Sequence, residues 1–317
     1  MASTEGIFQF MSAGAKPSLF RNAEVVMQRL PNGNTGLIQG VELESHSLPI
    51  VDARDGAPTL TCENNGFELF DAPVAAGLDF LDHAEVVGDY YPACEALIAQ
   101  STGARVFAFD HNIRSASGDE AHVQIKGGQE VQGPAHIVHG DYTLRSAPDR
   151  LEQLSRPPSG NDTLLGVLAE NQALVPPEAY LAAKDGTRYA IINVWRNIDD
   201  EPVATHPLAL CDARTVTPEE LVVFEIHYPD RIGENYFAKF SPAQRMYYYP
   251  HMTRDEALLI KQWDSAGPLA LSNGDEGDGG DYSKPATFSF HSAFEDPLTS
   301  QDAPDRWSIE VRCMVIY

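Results

Sequence analysis

The triplet His139-Gly140-Asp141 places an imidazole and a carboxylate two positions apart in the segment PAHIVHGDYT. On a β-strand such residues project from the same face, where both can ligate one metal ion. A third ligand from a distant strand, usually a histidine, would complete a site with three open coordination positions, as non-haem iron requires. By itself the pair is a weak signal, because polar residues on an exposed strand produce the same pattern.

His291 is the best candidate for the third ligand because a cationic segment comes after it. Fifteen residues downstream, Arg306-Trp307-Ser308 opens a terminal segment in which Arg306, Ser308, Glu310 and Arg312 share one strand face. A guanidinium beside a hydroxyl suits a carboxylate, and Arg312 is a competing anion-binding residue. His251, which precedes a helix-cap pattern, is the strongest alternative to His291.

The charge balance excludes several classes of partner. Acidic residues outnumber basic ones 46 to 22, for a formal net charge of −24, which disfavours phosphate backbones and anionic lipid. A small dianion would therefore need arginines placed locally in a pocket. We expect a small-molecule substrate, with neither nucleic acid nor a membrane as partner.

The N-terminal sequence and the spacing of the cysteines lead us to expect a cytoplasmic protein. The N-terminus lacks a basic region followed by an apolar stretch, and no apolar run is long enough to span a membrane. Cys62, Cys94, Cys211 and Cys313 are widely spaced and form no C-x-x-C pair, so we expect small buried side chains rather than a disulfide scaffold.

The elements that must position these residues are mainly strands, with flanking helices. Helical spacing of apolar residues predicts a helix over 84–102, two helical pieces over 147–174 separated by Pro157-Pro158, and a short helix over 256–265 behind a capping box. Strand-like segments are 105–110, 122–128, 135–143, 187–198, 206–216, 220–229, 234–240, 286–294 and 306–317. We expect one domain, 1–317, built as a sandwich or barrel. An exposed edge on the terminal strand makes a homodimer plausible.

The order of these motifs resembles that of the Fe(II)/2-oxoglutarate-dependent dioxygenases: H-x-D, a distant histidine, then Arg-x-Ser. A closer resemblance, over nearly the whole chain, is to the gibberellin-desaturase-like and cephalosporin-methoxylase-related family of fungal and bacterial natural-product oxidases. The segments that carry it are YYPACEALIAQSTGARVFAFDHNIR, HIVHGDYT, INVWRNI, PLALCDARTV, FHSAFEDP and RWSIEVR.

The resemblance implies a double-stranded β-helix, the cupin-like jelly roll, with an N-terminal extension and an insertion between the metal-binding strands. It implies Fe(II) held by His139, Asp141 and His291, with 2-oxoglutarate and O2 as cosubstrates. Arg306 and Ser308 would bind the distal carboxylate of 2-oxoglutarate, with Arg312 as the alternative. The substrate would be a mostly apolar secondary metabolite or an amino-acid-derived intermediate, and the outcome hydroxylation, desaturation, cyclisation or endoperoxidation.

The segment IINVWRN adds two further candidates for cosubstrate or substrate contact, Asn193 and Arg196. Asn193 and Trp195 fall on one strand face and Arg196 on the other. For Arg196 a structural ion pair is an equal alternative, and for Trp195 a core position is favoured.

Two other functions compete with the dioxygenase. One is a cupin-type iron enzyme that does not use 2-oxoglutarate, in which Arg306 and Arg312 form ordinary ion pairs. The other is a non-catalytic jelly-roll protein that binds a metal or ligand. Dependence on 2-oxoglutarate separates the dioxygenase from both.

Overall fold

Segments rich in β-branched and aromatic residues form two β-sheets in the computed structural model, which describes residues 3–30, 35–55, 59–160, 162–229, 231–279 and 283–317. Within these ranges the strands, numbered in chain order, are β1 (Ser3–Met11), β2 (Val26–Arg29), β3 (Thr35–Gln39), β4 (Leu43–Asp52), β5 (Phe67–Asp71), β6 (Arg105–Arg114), β7 (His139–Gly140), β8 (Tyr189–Asn197), β9 (Leu208–Cys211), β10 (Leu221–His227), β11 (Ile232–Ala238), β12 (Met246–Tyr248), β13 (Glu256–Asp264), β14 (His291–Ala293) and β15 (Ser308–Ile316). The mainly β fold with flanking helices is confirmed.

Short helices connect and cover the strands. They are α1 (His83–Glu85), a π-helical turn (Val86–Tyr90), α2 (Tyr91–Thr102), α3 (Ala116–Glu120), α4 (Ser146–Leu154), α5 (Pro177–Lys184) and α6 (Pro268–Leu271), with 3-10 turns at Ala213–Thr215 and Pro218–Glu220. The helix predicted over 84–102 is confirmed. It ends where Gly103 adopts a left-handed conformation (φ 70°) and closes the last turn, a position that favours glycine.

The two sheets differ in size, and their facing surfaces enclose the main core. The larger sheet runs β1-β4-β12-β9-β14-β7-β11-β10-β2-β3, and the smaller runs β5-β13-β8-β15-β6. Phe8 and Phe10 from β1 join Ile191 from β8 and Met314 from β15 in one buried cluster. Helix α2 covers the other face of the smaller sheet, where Cys94 and Ile98 pack against it. The central strands of the smaller sheet are therefore buried on both faces.

The helix predicted over 256–265 is wrong, since residues 256–264 form strand β13. The capping pattern is real, because the amide of Thr253 donates to Glu256 Oε2 at 2.9 Å, but it closes a turn that leads into a strand. Every residue from Ala257 to Asp264 is buried between β5 and β8. The sequence of a strand that is covered on both faces is a continuous apolar run. Hydrophobic periodicity alone does not distinguish such a run from a buried helix.

Two other segment predictions fail in part. The first piece of 147–174 is helix α4, but the second contains turns in place of a helix, with positive φ at Gly166 (82°) and Asn171 (63°). The strand expected at 122–128 is replaced by isolated bridges.

Strand β15 lies between β8 and β6 rather than at an edge of its sheet. The edge-strand reason for a homodimer is therefore wrong.

The described residues contain no helix that is long and apolar enough to cross a membrane. All four cysteines are free thiols in buried positions, as predicted.

The complete burial of β13 predicts a large effect of shortening a side chain there. Leu259 is fully buried against the α2 side of the smaller sheet, so Leu259→Ala should lower the free energy of unfolding by about 2–5 kcal/mol. Leu298→Ala is the control: this side chain is 83% exposed, and the change should stay within about 0.5 kcal/mol. Urea unfolding of both variants measures the difference. Equal effects would contradict the placement of this strand in the core.

Candidate metal centre

Pairing of short strands brings His139 and His291 together across 152 residues of sequence. Strand β7 lies between β11 and β14, and His139 is directly opposite His291 in the antiparallel pair. Their ring centroids are 4.4 Å apart. Together with Asp141 they offer three ligand atoms that all lie within 4.8 Å of one another. Among the described residues, no other group of three or more His, Cys, Asp or Glu side chains meets this condition. His251, the alternative ligand, is exposed in a turn outside this group.

The histidines are held in the form that a metal needs. His139 Nδ1 lies 2.7 Å from the carbonyl oxygen of Ile137, and a carbonyl only accepts hydrogen bonds, so this nitrogen carries the proton. Nε2 is left with its lone pair, 3.6 Å from Asp141 Oδ1. Burial lowers the pKa of His139 to about 4 and also lowers that of His291. Both imidazoles are therefore neutral near pH 7.

The Asp141 carboxylate is anchored through one of its two oxygens. Oδ2 accepts a hydrogen bond from Asn193 Nδ2 at 3.1 Å and another from Arg312 Nε at 3.3 Å. Burial alone would raise the pKa of this carboxyl, but the Arg312 charge and the two histidines hold it well below its usual value. The anchored Oδ2 leaves Oδ1 on the side of His139. Two neutral imidazoles and one carboxylate oxygen are the donor set that suits ferrous iron.

The smaller sheet supplies these anchoring groups through its strand register. Residues directly opposite one another on β6, β15 and β8 form three rows, in that strand order: Asp110, Arg312, Asn193; Asn112, Glu310, Trp195; and Arg114, Ser308, Asn197. Arg114, Glu310 and Trp195 from these rows line one cavity together with His139 and His291 of the larger sheet. Asn193 also donates to Glu310 Oε1 at 3.0 Å, so the first two rows are linked.

A small cavity, here called the inner cavity, adjoins the ligands. Its lining includes His139, Asp141, His291, Arg114, Arg306 and Glu310. Arg306 is buried, with one guanidinium nitrogen donating to the carbonyl of His206 and its Nε lacking a hydrogen-bond partner among the described residues. Burial and the nearby positive charge of Arg114 lower the pKa of Arg306 to about 9. Two guanidiniums without a carboxylate partner in the described chain make this cavity a place for an anion.

Arg114 was not identified from the sequence. It ends β6 on the same strand face as Asp110 and Asn112, and this alternation was the signal available. Its importance depends on the pairing of β6 with β15, which places it opposite Ser308.

Arg312 faces a different space from Arg306. It forms ion pairs with Asp110 (2.9 Å), Asp141 (3.3 Å) and Glu310 (3.5 Å). It lines a second, larger cavity, here called the polar cavity, which also reaches Asp141. Its charge is already compensated by carboxylates.

The remaining candidates have structural partners. Ser308 Oγ is directed at the carbonyl of Arg114 at 3.5 Å. Arg196 donates to Tyr90 Oη at 3.0 Å and to the carbonyl of Arg254, and neither Arg196 nor Ser308 is among the residues that line the two cavities. The position of Arg196 favours its structural interpretation. Trp195, by contrast, lines the inner cavity, with Arg306 over its ring at 5.8 Å.

The fold and the metal centre together define the class of protein. Two facing sheets with two histidines and one carboxylate on paired strands are the arrangement of a non-haem iron oxygenase with a double-stranded β-helix.

Comparisons with known proteins give the family. The family model described as Oxidoreductase/YMDC permease-like domain matches residues 11–316. The hydroxylase/desaturase poxK of Penicillium oxalicum is 31% identical over 78% of this chain and 70% of its own. The Fe(II)/2-oxoglutarate-dependent dioxygenase nvfI of Aspergillus novofumigatus is 28% identical over 85% of this chain and 83% of its own. The chain belongs to this family of oxidoreductases.

A solved structure of the iron and alpha-ketoglutarate-dependent endoperoxidase NvfI shows the same fold. It superposes with a TM-score of 0.75 at 24% identity, covering 99% of this chain and 98% of that one. The predicted family and the double-stranded β-helix are confirmed. The cofactors of the family are Fe(II), 2-oxoglutarate and O2, and the trio of ligand residues fits the iron. Neither the cupin-type enzyme nor the non-catalytic binding protein finds support in these relatives.

The anchoring of Asp141 can be tested with two buried asparagines of β8. Asn193→Ala removes a hydrogen bond to the metal-facing carboxylate, so Fe(II) affinity should fall about 10- to 100-fold. Asn197→Ala is the matched control, because Asn197 Nδ2 bonds only to the carbonyls of Asp199, Glu201 and Met252. Anaerobic titration with Fe(II) measures both affinities. An equal loss in the two variants would mean that Asn193 acts through general stability and not through Asp141.

Proposed function

We propose that this chain couples the oxidation of a small molecule by O2 to the conversion of 2-oxoglutarate into succinate and CO2, with His139, Asp141 and His291 as the iron ligands. The observation that carries the proposal is the position of the inner cavity, which joins these three residues to the buried Arg306 and the partly buried Arg114. One oxygen atom of O2 is retained in succinate. The other is available to oxidise a C–H bond of the substrate. Hydroxylation, desaturation, cyclisation and endoperoxidation are all compatible with this coupling.

The distal carboxylate of 2-oxoglutarate is assigned to Arg306, with Arg114 beside it. The Nε of Arg306, which has no hydrogen-bond partner among the described residues, supplies a donor, and the two positive charges favour a carboxylate in this cavity. Burial and the negative charge of Asp141 raise the pKa of Glu310, and the positive charges of Arg312 and Arg114 act in the opposite direction. Ser308 contributes by fixing the end of β6 at Arg114.

Arg312 is assigned to Asp141 and not to 2-oxoglutarate. Its three carboxylate neighbours already satisfy its charge, and it lines the other cavity. Asn193 shares this task, so both are positioning residues for the metal carboxylate.

The bound iron supplies O2 activation, which protein side chains do not provide. The chain's own residues hold the ligand carboxylate in one orientation, keep both imidazoles neutral and place an anion beside them.

The domain organisation, cellular location and partners of the enzyme are inferred from its sequence, its net charge and its cysteines. We infer that residues 1–317 act as one oxygenase domain in the cytoplasm, since four buried free thiols suit a reducing compartment. The acidic surface argues against nucleic acid and anionic membrane as partners. A homodimer stays a prediction.

The metal assignment predicts a spectroscopic signal. Anaerobic addition of Fe(II) and 2-oxoglutarate to the purified protein should produce a visible metal-to-ligand charge-transfer band. His139→Ala and His291→Ala should abolish it, because each leaves two ligands, whereas His251→Ala should retain it. Absence of the band in correctly folded protein would exclude chelation of the iron by 2-oxoglutarate.

The arginine assignment predicts selective loss of cosubstrate affinity. Arg306→Ala should weaken 2-oxoglutarate binding about 10- to 100-fold, the effect of losing a charge-assisted hydrogen bond, while Fe(II) still binds. Arg196→Ala removes another buried guanidinium that lies outside the inner cavity and should leave this affinity unchanged. Titration of the charge-transfer band with 2-oxoglutarate compares the two. A larger effect of Arg196→Ala would overturn the assignment.

A further inference from the structure

The polar cavity reaches the metal centre at Asp141, which lines it together with Arg312. Among its 22 described lining residues, only Phe109, Ile226 and Ile232 have purely hydrocarbon side chains. Pockets for small molecules are usually lined mostly by apolar and aromatic side chains, with few polar groups. The composition of this wall is therefore informative about what it binds.

Most charges on the wall have ion-pair partners, either in the wall or behind it. Arg312 pairs with Asp110 at 2.9 Å, and Arg150 pairs with Asp162 at 3.0 Å. Glu234 pairs with Arg21, which lies outside the lining. Both signs are present and paired, so the wall does not require a ligand of one strong net charge. The overall charge of −24 further disfavours a substrate anion.

The uncharged part of the wall is rich in carboxamides, which both donate and accept hydrogen bonds. Five line the cavity: Asn112, Gln129, Gln132, Gln153 and Asn235. A hydrocarbon skeleton placed here would displace water from these groups without replacing its hydrogen bonds, and that loss opposes binding. A ligand with hydroxyl, amide or amino-acid groups would replace them.

We propose that the substrate is a small hydrophilic molecule, neutral or zwitterionic, whose hydroxyl or amide groups pair with the carboxamides of the polar cavity. The proposal rests on the oxygenase function assigned above and specifies its substrate class. It replaces the mostly apolar metabolite expected from the sequence and retains the amino-acid-derived alternative.

Ligand-observed saturation-transfer NMR on the 317-residue chain tests the proposal without metal or 2-oxoglutarate. The polar probes are L-glutamine, N-acetyl-L-alaninamide and D-ribose, and the apolar probes are toluene, limonene and cyclohexylmethanol. The polar set should bind and the apolar set should not. Preferential binding of the apolar set, equal binding of both sets, or binding of neither contradicts the proposal.

A pair of glycine variants locates the binding. A Cβ at Gly233 would contact Tyr228 and Ile226, which line the polar cavity, at 3.4 and 3.8 Å, so Gly233→Leu partly fills this space. It should weaken binding of the polar probes about tenfold. Gly88→Leu is the control, because a Cβ there meets nothing within 4 Å and the position is exposed. Unchanged probe binding in Gly233→Leu would place the probes elsewhere and overturn the proposal.

The result of the probe-binding experiments does not depend on the oxygenase assignment. The charge-transfer band reports on iron and 2-oxoglutarate, whereas the probes report on the polar cavity of the metal-free chain. Loss of the band with retained probe binding would reject the function but keep the hydrophilic site. The opposite result would keep the function and reject the substrate class.

Discussion

The antiparallel pairing of β7 with β14 is the contact on which the site depends. It places His139 opposite His291, while His139 and Asp141 lie two positions apart in sequence. Neither strand is long, with two residues in β7 and three in β14, so their positions are fixed by β11 and β9 on either side. A shift of one residue in register would turn the imidazole of His291 to the opposite face of the sheet.

The smaller sheet orients the third side chain of the site, the carboxylate of Asp141. Asp141 comes directly after β7, and its carboxylate is held from across the interior by Asn193 and Arg312. The same sheet carries Arg114 and Glu310 into the inner cavity. One sheet therefore supplies the two histidines, and the other supplies the groups that orient the carboxylate and one arginine of the inner cavity, Arg114, while Arg306 directly precedes β15. This division explains how a strongly acidic protein can present a local positive site to a dianion.

Much of the metal centre could be predicted from sequence because its signals are local or occur in a known order. The H-x-D triplet, a late histidine and an arginine soon after it are visible in the chain, and the structure brings the three ligand residues together. The roles of Asn193 and Arg312 were less accessible, since they depend on which residues lie opposite one another on β6, β15 and β8. Arg114 was missed for the same reason.

The errors in the fold have different physical origins. Strand β13 is enclosed on both faces, so its apolar run lacks the alternation that marks a strand. Strands β1 and β4 were not predicted. Strand β4 is mostly polar and partly exposed, and its pairing with β1 joins segments that are distant in the sequence. The composition of the polar cavity could not be predicted from the sequence either, because its lining residues come from many separate segments between Arg29 and Arg312.

The most direct test is anomalous X-ray diffraction at the iron edge from crystals grown anaerobically with Fe(II) and 2-oxoglutarate. We expect one iron peak among His139, Asp141 and His291, with the distal carboxylate of 2-oxoglutarate against Arg306 in the inner cavity. An iron peak elsewhere, or 2-oxoglutarate bound through Arg312 in the polar cavity, would contradict this arrangement.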